Sequence, residues 1–146
     1  MNTFEKGNLS LAFCTAVLSK YCQVLLPFGE GSRYDLVIDF NKKFYRIQVK
    51  TGCLSADESK LVFNTCSNNK GYRRKAYTED VDAFAVFCER INKVFLVPIS
   101  KTGTSSTGLR LTSPKNNQKR NILLARDYEI SSQSVFKSLI SNLTGV

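Results

Sequence analysis

Arg33-Tyr34-Asp35-Leu36-Val37-Ile38-Asp39-Phe40, a short Asn41-Lys42-Lys43 turn, then Phe44-Tyr45-Arg46-Ile47-Gln48-Val49-Lys50-Thr51: this stretch decides the fold. Both runs alternate with period two, as half-buried strands do, and the link between them is hairpin-sized. A two-residue turn sets Phe40 opposite Lys43 and Asp35 opposite Gln48. A four-residue turn sets Asp35 opposite Lys50. In either register Asp35, Gln48 and Lys50 share one face, while Leu36, Ile38, Phe40, Tyr45, Ile47 and Val49 share the other. A carboxylate, an amide and an ammonium beside a hydrophobic layer suit metal-assisted cleavage of a phosphodiester. Asp35 is the natural ligand for Mg²⁺ or Mn²⁺, Gln48 offers a neutral oxygen, and Lys50 can neutralise charge growing on the phosphorane or position the nucleophile.

Working outward, Asn2 can cap a first helix, with Glu5 three residues later reaching back in a capping box. Leu9, Phe13, Ala16 or Val17, and Tyr21 then recur at helical spacing and predict its buried stripe. Val24 to Phe28 reads as a short strand. Lys60 to Asn64 is another, expected beside the strand that ends at Thr51. Asp82 to Cys88 is nearly all apolar, as in a strand covered on both faces, and Val94 to Pro98 follows as a further strand. Ser100 to Gln118 reads as a long exposed loop, with a brief strand over Leu109 to Thr112. Ser131 or Ser132 can cap a last helix carrying Val135, Phe136, Leu139, Ile140 and Leu143. The expectation is an α/β (α+β) fold, one domain over residues 1–146, with a mixed β-sheet flanked by helices.

With 42% hydrophobic content and sixteen Phe and Tyr residues, the chain has the material for a packed core. No apolar run approaches the roughly 20 residues that span a bilayer, and Leu9 to Leu18 lacks the basic start of a signal peptide, so no membrane partner is expected. Five cysteines (Cys14, Cys22, Cys53, Cys66 and Cys88) include no Cys-x-x-Cys pair, and the chain has no histidine. Usual zinc sites and histidine-based triads are therefore excluded. Free thiols imply a reducing cytosol.

The net charge is +9, from 21 basic and 12 acidic residues, which suits a polyanionic partner. Two basic loops without acids stand out as DNA-contacting, about residues 66–77 and 101–120. The first carries Asn68, Asn69, Lys70, Tyr72, Arg73, Arg74 and Lys75; the second carries Arg110, Lys115, Asn117, Lys119 and Arg120. Lys and Arg serve phosphates, while Arg and Asn can bond base edges bidentately. Lys42 and Lys43 at the hairpin tip add possible backbone contacts. Double-stranded DNA is the expected partner.

Tyr34-Asp35, a gap, then Gln48-Val49-Lys50 resembles the PD-(D/E)XK nuclease signature, with Tyr34 in place of proline and Gln48 in place of the acidic residue. The leading helix with Lys6-Gly7-Asn8, the hairpin, and the later Tyr77, Asp80 to Phe87 and Val94 to Pro98 are similar to small members of that superfamily. They look most like the bacterial group I intron-encoded homing endonucleases, which are related to archaeal Holliday-junction resolvases. The resemblance covers roughly Thr3 to Ser100. It implies a restriction-endonuclease-like core, Mg²⁺-dependent double-strand cleavage of a long DNA site, and a homo-oligomer, a dimer or more plausibly a tetramer. Asp35 carries over as metal ligand, Gln48 at the second acidic position, and Lys50 as the motif lysine. Some members take a further carboxylate from the first helix, and Glu5 is the only acid before Glu30. The alternatives are a DNA-binding protein whose nuclease site has decayed, with Gln48 as the symptom, and a junction resolvase that reads shape.

Overall fold

The computed structural model describes residues 1–69, 73–118 and 120–143. Asn2 caps α1 (Thr3–Leu18): its side chain accepts the Glu5 N–H at 2.9 Å, and Glu5 Oε2 accepts the Asn2 N–H at 2.8 Å. The buried row of this helix is Ser10, Cys14 and Leu18. That is one residue round from the expected stripe: Leu9 and Tyr21 are only half-buried, and Ala16 is exposed. Phe13 remains 38% exposed although its ring stacks on Phe87 at 4.3 Å. The helix is apolar nearly all round, so periodicity leaves the facing row undecided. Small side chains at Ser10 and Cys14 let it lie close on the sheet.

That sheet has five strands in the order β1 (Gln23–Leu25), β2 (Leu36–Phe40), β3 (Lys43–Thr51), β8 (Ala83–Cys88) and β9 (Lys93–Pro98). Strand β1 is shorter than expected and ends before Leu26. The β2–β3 hairpin closes through the two-residue turn, pairing Phe40 with Lys43. Asn41 and Lys42 both have positive φ, 51° and 63°, as a type I′ turn requires. Strand β8 pairs parallel to β3, Gln48 opposite Phe84 and Lys50 opposite Val86. Parallel neighbours need a long crossover, and residues 52–82 supply it.

Inside that crossover lie β4 (Cys53–Leu54), β5 (Lys60–Asn64), β6 (Cys66–Asn69) and β7 (Arg73–Ala76). Lys60–Asn64 therefore does not join the main sheet beside Thr51. It is the middle strand of a second sheet, between β4 and β10 (Ser106–Arg110). The strand expected at Leu109 to Thr112 is thus displaced toward the N-terminus, and Ser100 to Gln118 is less irregular than expected. Strands β6 and β7 form an antiparallel ribbon where a loop was expected.

Alternate residues of the central strands feed two cores. Ala83, Ala85 and Phe87 of β8, with Val94 and Leu96 of β9, pack with Cys14 and Leu18 of α1. The same cluster takes Phe136, Leu139 and Ile140 of α2 (Gln133–Ser141), a helix capped by Ser132. Phe84, Val86 and Cys88, with Phe95 and Val97, pack with Leu61, Phe63 and Leu109 of the second sheet. Strand β8 is buried along its whole length, as its unbroken apolar run requires.

Gly52 sits where β3 leaves the main sheet, its N–H donating to Phe87 O at 2.8 Å. A Cβ there would meet Leu61 Cδ1 at 2.5 Å and Val86 Cγ1 at 3.0 Å. Gly52→Ala is expected to cost about 1–3 kcal/mol, the usual effect of overpacking a core. Urea unfolding of the two proteins, compared at their midpoints, reads it directly.

Candidate active site

Because the turn has two residues, Asp35 falls just before β2, opposite Gln48. The Asp35 N–H donates to Ile47 O at 2.9 Å, and its Oδ2 accepts the Val49 N–H at 2.9 Å. The second bond ties the carboxylate to the strand that carries the other two groups. Asp35, Gln48 and Lys50 are each half-buried, and all three line one open cleft of about 650 Å³. The first turns of α1 (Thr3, Phe4, Lys6 and Gly7 among them) form one wall; Asn64, Cys66, Ser67 and Tyr77 form the opposite one.

Burial raises the Asp35 carboxyl above its ordinary value, and the Val49 N–H and the Lys50 ammonium only partly offset this. Burial likewise pulls the Lys50 ammonium below its ordinary value, with the charge of Asp35 opposing. The chain thus holds an acid and a base in a partly dry cleft, each made less comfortable in its charged form. That is the electrostatic character expected of a functional site. Lys50 Nζ lies 3.4 Å from Cys66 O and 4.8 Å from the centre of the Tyr77 ring.

Glu5 does not join them. Its carboxylate is taken by the Asn2 N–H at the helix cap, and it is not among the residues lining the cleft. From the helix, Ser10 meets β3, its Oγ 2.6 Å from Thr51 Oγ1. Among the described residues, no three His, Cys, Asp or Glu side chains cluster as a metal site would. Of the three predicted ligands, the Asp35 carboxylate and the Gln48 amide line the cleft. Both are hard, and they fit an ion such as Mg²⁺ that keeps several of its own waters.

The basic residues are distributed round the molecule. Lys42 and Lys43 are exposed at the β2–β3 tip, and Lys75 is exposed on β7. Asn68, Asn69, Arg73 and Arg74 lie in the β6–β7 ribbon, with Asn68 paired to Arg74 and Asn69 to Arg73. Lys115, Asn117 and Arg120 are exposed, whereas Arg110 is half-buried with Nε donating to Thr112 O at 3.3 Å. Lys70, Tyr72 and Lys119 lie outside the described residues.

Arg33 and Tyr77 were not singled out as site residues from the sequence, yet both sit at the cleft's edge. Arg33 donates to Asp80, to Ser67 and to the Lys75 and Ala76 carbonyls. One signal was present: Arg33 precedes Asp35 by two residues, so in an extended chain both face the same way. Two of the thiols are held well away from the thiolate form. All five cysteines are free, and burial pushes Cys14 up to about 12 and Cys22 up to about 11.

An acid on one strand, an amide and a lysine two residues apart on the next, and a helix across the sheet define a nuclease-type core. The profile of the PD-(D/E)XK endonuclease family matches residues 1–131, and the chain belongs to that family. Its fold is similar to that of a bacterial homing endonuclease, I-Ssp6803I, with a TM-score of 0.72 and 21% sequence identity. That likeness covers 99% of this chain and 97% of the other. No curated protein matches the sequence.

Proposed function

We propose that the protein is a site-specific homing endonuclease that makes double-strand breaks in DNA with Mg²⁺ or Mn²⁺. The observation that supports this best is the convergence of Asp35, Gln48 and Lys50 in one open cleft. Asp35 and Gln48 would hold the ion, which when bound polarises a phosphate oxygen and lowers the pKa of the attacking water. Lys50 supplies a positive charge toward the phosphorane, while the Val49 N–H keeps Asp35 aimed across the strand pair. Water adds to phosphorus, one P–O bond breaks, and the water's proton ends on the departing oxygen or in solvent.

The β6–β7 ribbon suits DNA recognition, since a two-stranded ribbon fits the major groove. Lys42, Lys43, Lys75 and the segment through Lys115, Asn117 and Arg120 would hold phosphates or base edges beside it. One cleft per chain cuts one strand, so a double-strand break calls for a homo-oligomer, a dimer or tetramer. Residues 1–146 act in this reading as one nuclease domain. Among the described residues no helix is long and apolar enough to cross a membrane. Free thiols fit a bacterial cytosol, and the setting would be homing of a group I intron.

A second reading has one observation in its favour: among the described residues, a single carboxylate lines the cleft. In it the protein binds DNA without cutting. The test is a plasmid carrying the DNA that surrounds the gene, incubated with protein and Mg²⁺ or Mn²⁺. Linear product that disappears with a chelator is expected. Tight, salt-sensitive binding with no cleavage under either ion would favour the second reading instead.

A further inference from the structure

The Lys50 ammonium feels more than the charge of Asp35. It lies 4.8 Å from the centre of the Tyr77 ring, within the range at which a cation is drawn to an aromatic face. The same ring carries a second cation, with the Arg33 guanidinium carbon 4.0 Å from its centre. Tyr77 is only 5% exposed. A buried aromatic in contact with two cations is a specific arrangement, because the cations repel each other and the ring offsets part of that cost.

Arg33 is itself fully engaged. Nε bonds Asp80 Oδ2 at 2.9 Å and Nη1 bonds Ser67 Oγ at 2.8 Å. Nη2 reaches the carbonyls of Ala76 at 3.0 Å and Lys75 at 3.3 Å. These partners lie on both strands of the β6–β7 ribbon and on the turn beyond it. Arg33 thus fastens the ribbon to the segment that leads through Asp35 into β2, while the ring it covers bears on Lys50. On the far side, Lys50 Nζ lies 3.4 Å from Cys66 O, at the start of the same ribbon.

We propose that Tyr77 is a positioning residue for Lys50, and that Arg33 clamps Tyr77 and the β6–β7 ribbon into one unit with the cleft. The ribbon and the lysine are thereby held in one fixed relation. This rests on the nuclease reading for its catalytic consequence, though not for its geometry.

Two measurements test it on the full chain. At saturating plasmid carrying the gene's surrounding DNA, with Mg²⁺, Tyr77→Leu is expected to lower kcat roughly 10- to 100-fold, as small misplacement of a catalytic group does. Its Kd for the same DNA stays unchanged. By NMR at one fixed pH without DNA, the Lys50 ε-methylene protons are expected upfield in the wild type, under the ring, and at ordinary positions in Tyr77→Leu. Tyr77→Phe, which keeps the ring, restores both readouts. Should Tyr77→Leu not fold, Arg33→Lys serves in its place, since it keeps the charge, loses the fork and is expected to move both readouts the same way. An unmoved Lys50 resonance, or a defect confined to Kd with kcat intact, overturns the proposal. A wild type that cuts nothing with either ion sinks the nuclease reading, while the Lys50 resonance still decides whether Tyr77 holds the lysine.

Discussion

Lys50→Ala is expected to slow DNA cleavage roughly 10²- to 10³-fold at saturating DNA, the loss that follows removal of one preorganised donor from a transition state. The magnitude follows from the site's poverty in charge. Among the described residues, Asp35 is the only carboxylate lining the cleft, and Lys6 on the helix wall is the only other basic side chain there. Lys50 is also partly withdrawn from water, so its charge acts through a less screened medium than a surface lysine's would. DNA binding should change little, because phosphates along a long site are held by the basic ribbon and loops. A filter-binding or gel-shift titration beside single-turnover cleavage separates the two. A variant that cuts at the wild-type rate would remove Lys50 from the chemistry.

Asp35→Asn is the second large effect, and it has opposite signs for activity and stability. The amide keeps an oxygen for the Val49 N–H but loses the negative charge that would hold a divalent ion, so cleavage should fall to background. The stability argument follows from the raised Asp35 pKa. The folded chain holds the Asp35 proton more tightly than the unfolded chain does, because burial disfavours the carboxylate. Ionised Asp35 therefore costs stability. The cost is absent below the ordinary value of 3.8, grows as pH rises through it, and is complete above the raised folded value. Asparagine carries no such cost. At neutral pH without metal, Asp35→Asn should unfold at the same or a higher temperature than the wild type, with the difference fading in acid. Lys50 has the mirror-image relation: its lowered pKa means the protonated form costs stability in full below the folded value, and the cost fades as pH rises from there to the ordinary 10.5. Active sites commonly carry such costs, and their removal stabilises a fold while ending its function. Clear destabilisation of Asp35→Asn at pH 7 would contradict the account of Asp35 as a strained carboxylate.

The central hairpin was legible because two properties agreed. Period-two alternation placed Leu36, Ile38, Ile47 and Val49 inward, and Asn-Lys at the turn tolerates the positive φ that a two-residue link requires. Asp35, Gln48 and Lys50 then had to share a face, whichever register was formed. Strand β8 was legible for a different reason: an unbroken apolar run has no wet face to offer. The capping box at Asn2 and Glu5 was equally local, although the same sequence left open whether Glu5 also reached the cleft. The structure shows its carboxylate occupied at the cap.

What stayed hidden depends on partners distant in sequence. The alternation of Lys60 to Asn64, with Leu61 and Phe63 buried and Val62 37% exposed, fits an edge of the main sheet as well as the middle of a small second one. Only the insertion of the crossover between β3 and β8 decides between them. The β6–β7 ribbon lacks an apolar alternation because it is rich in Asn, Lys and Arg, so composition alone pointed to a loop. Its anchor is Arg33, more than 30 residues earlier, and long-range bonds of that kind leave no local pattern. In α1 the difficulty was an excess of apolar positions, which left two neighbouring rows able to face the sheet.

The central claim is that Asp35 and Gln48 together hold a divalent cation beside Lys50. Crystals soaked in Mn²⁺ and measured for anomalous scattering test it most directly. The account predicts a peak roughly 2.1 Å from an Asp35 carboxylate oxygen and from the Gln48 amide oxygen, absent in crystals of Asp35→Asn. A Mn²⁺ peak elsewhere with none between these residues, or one that persists in Asp35→Asn, would contradict it.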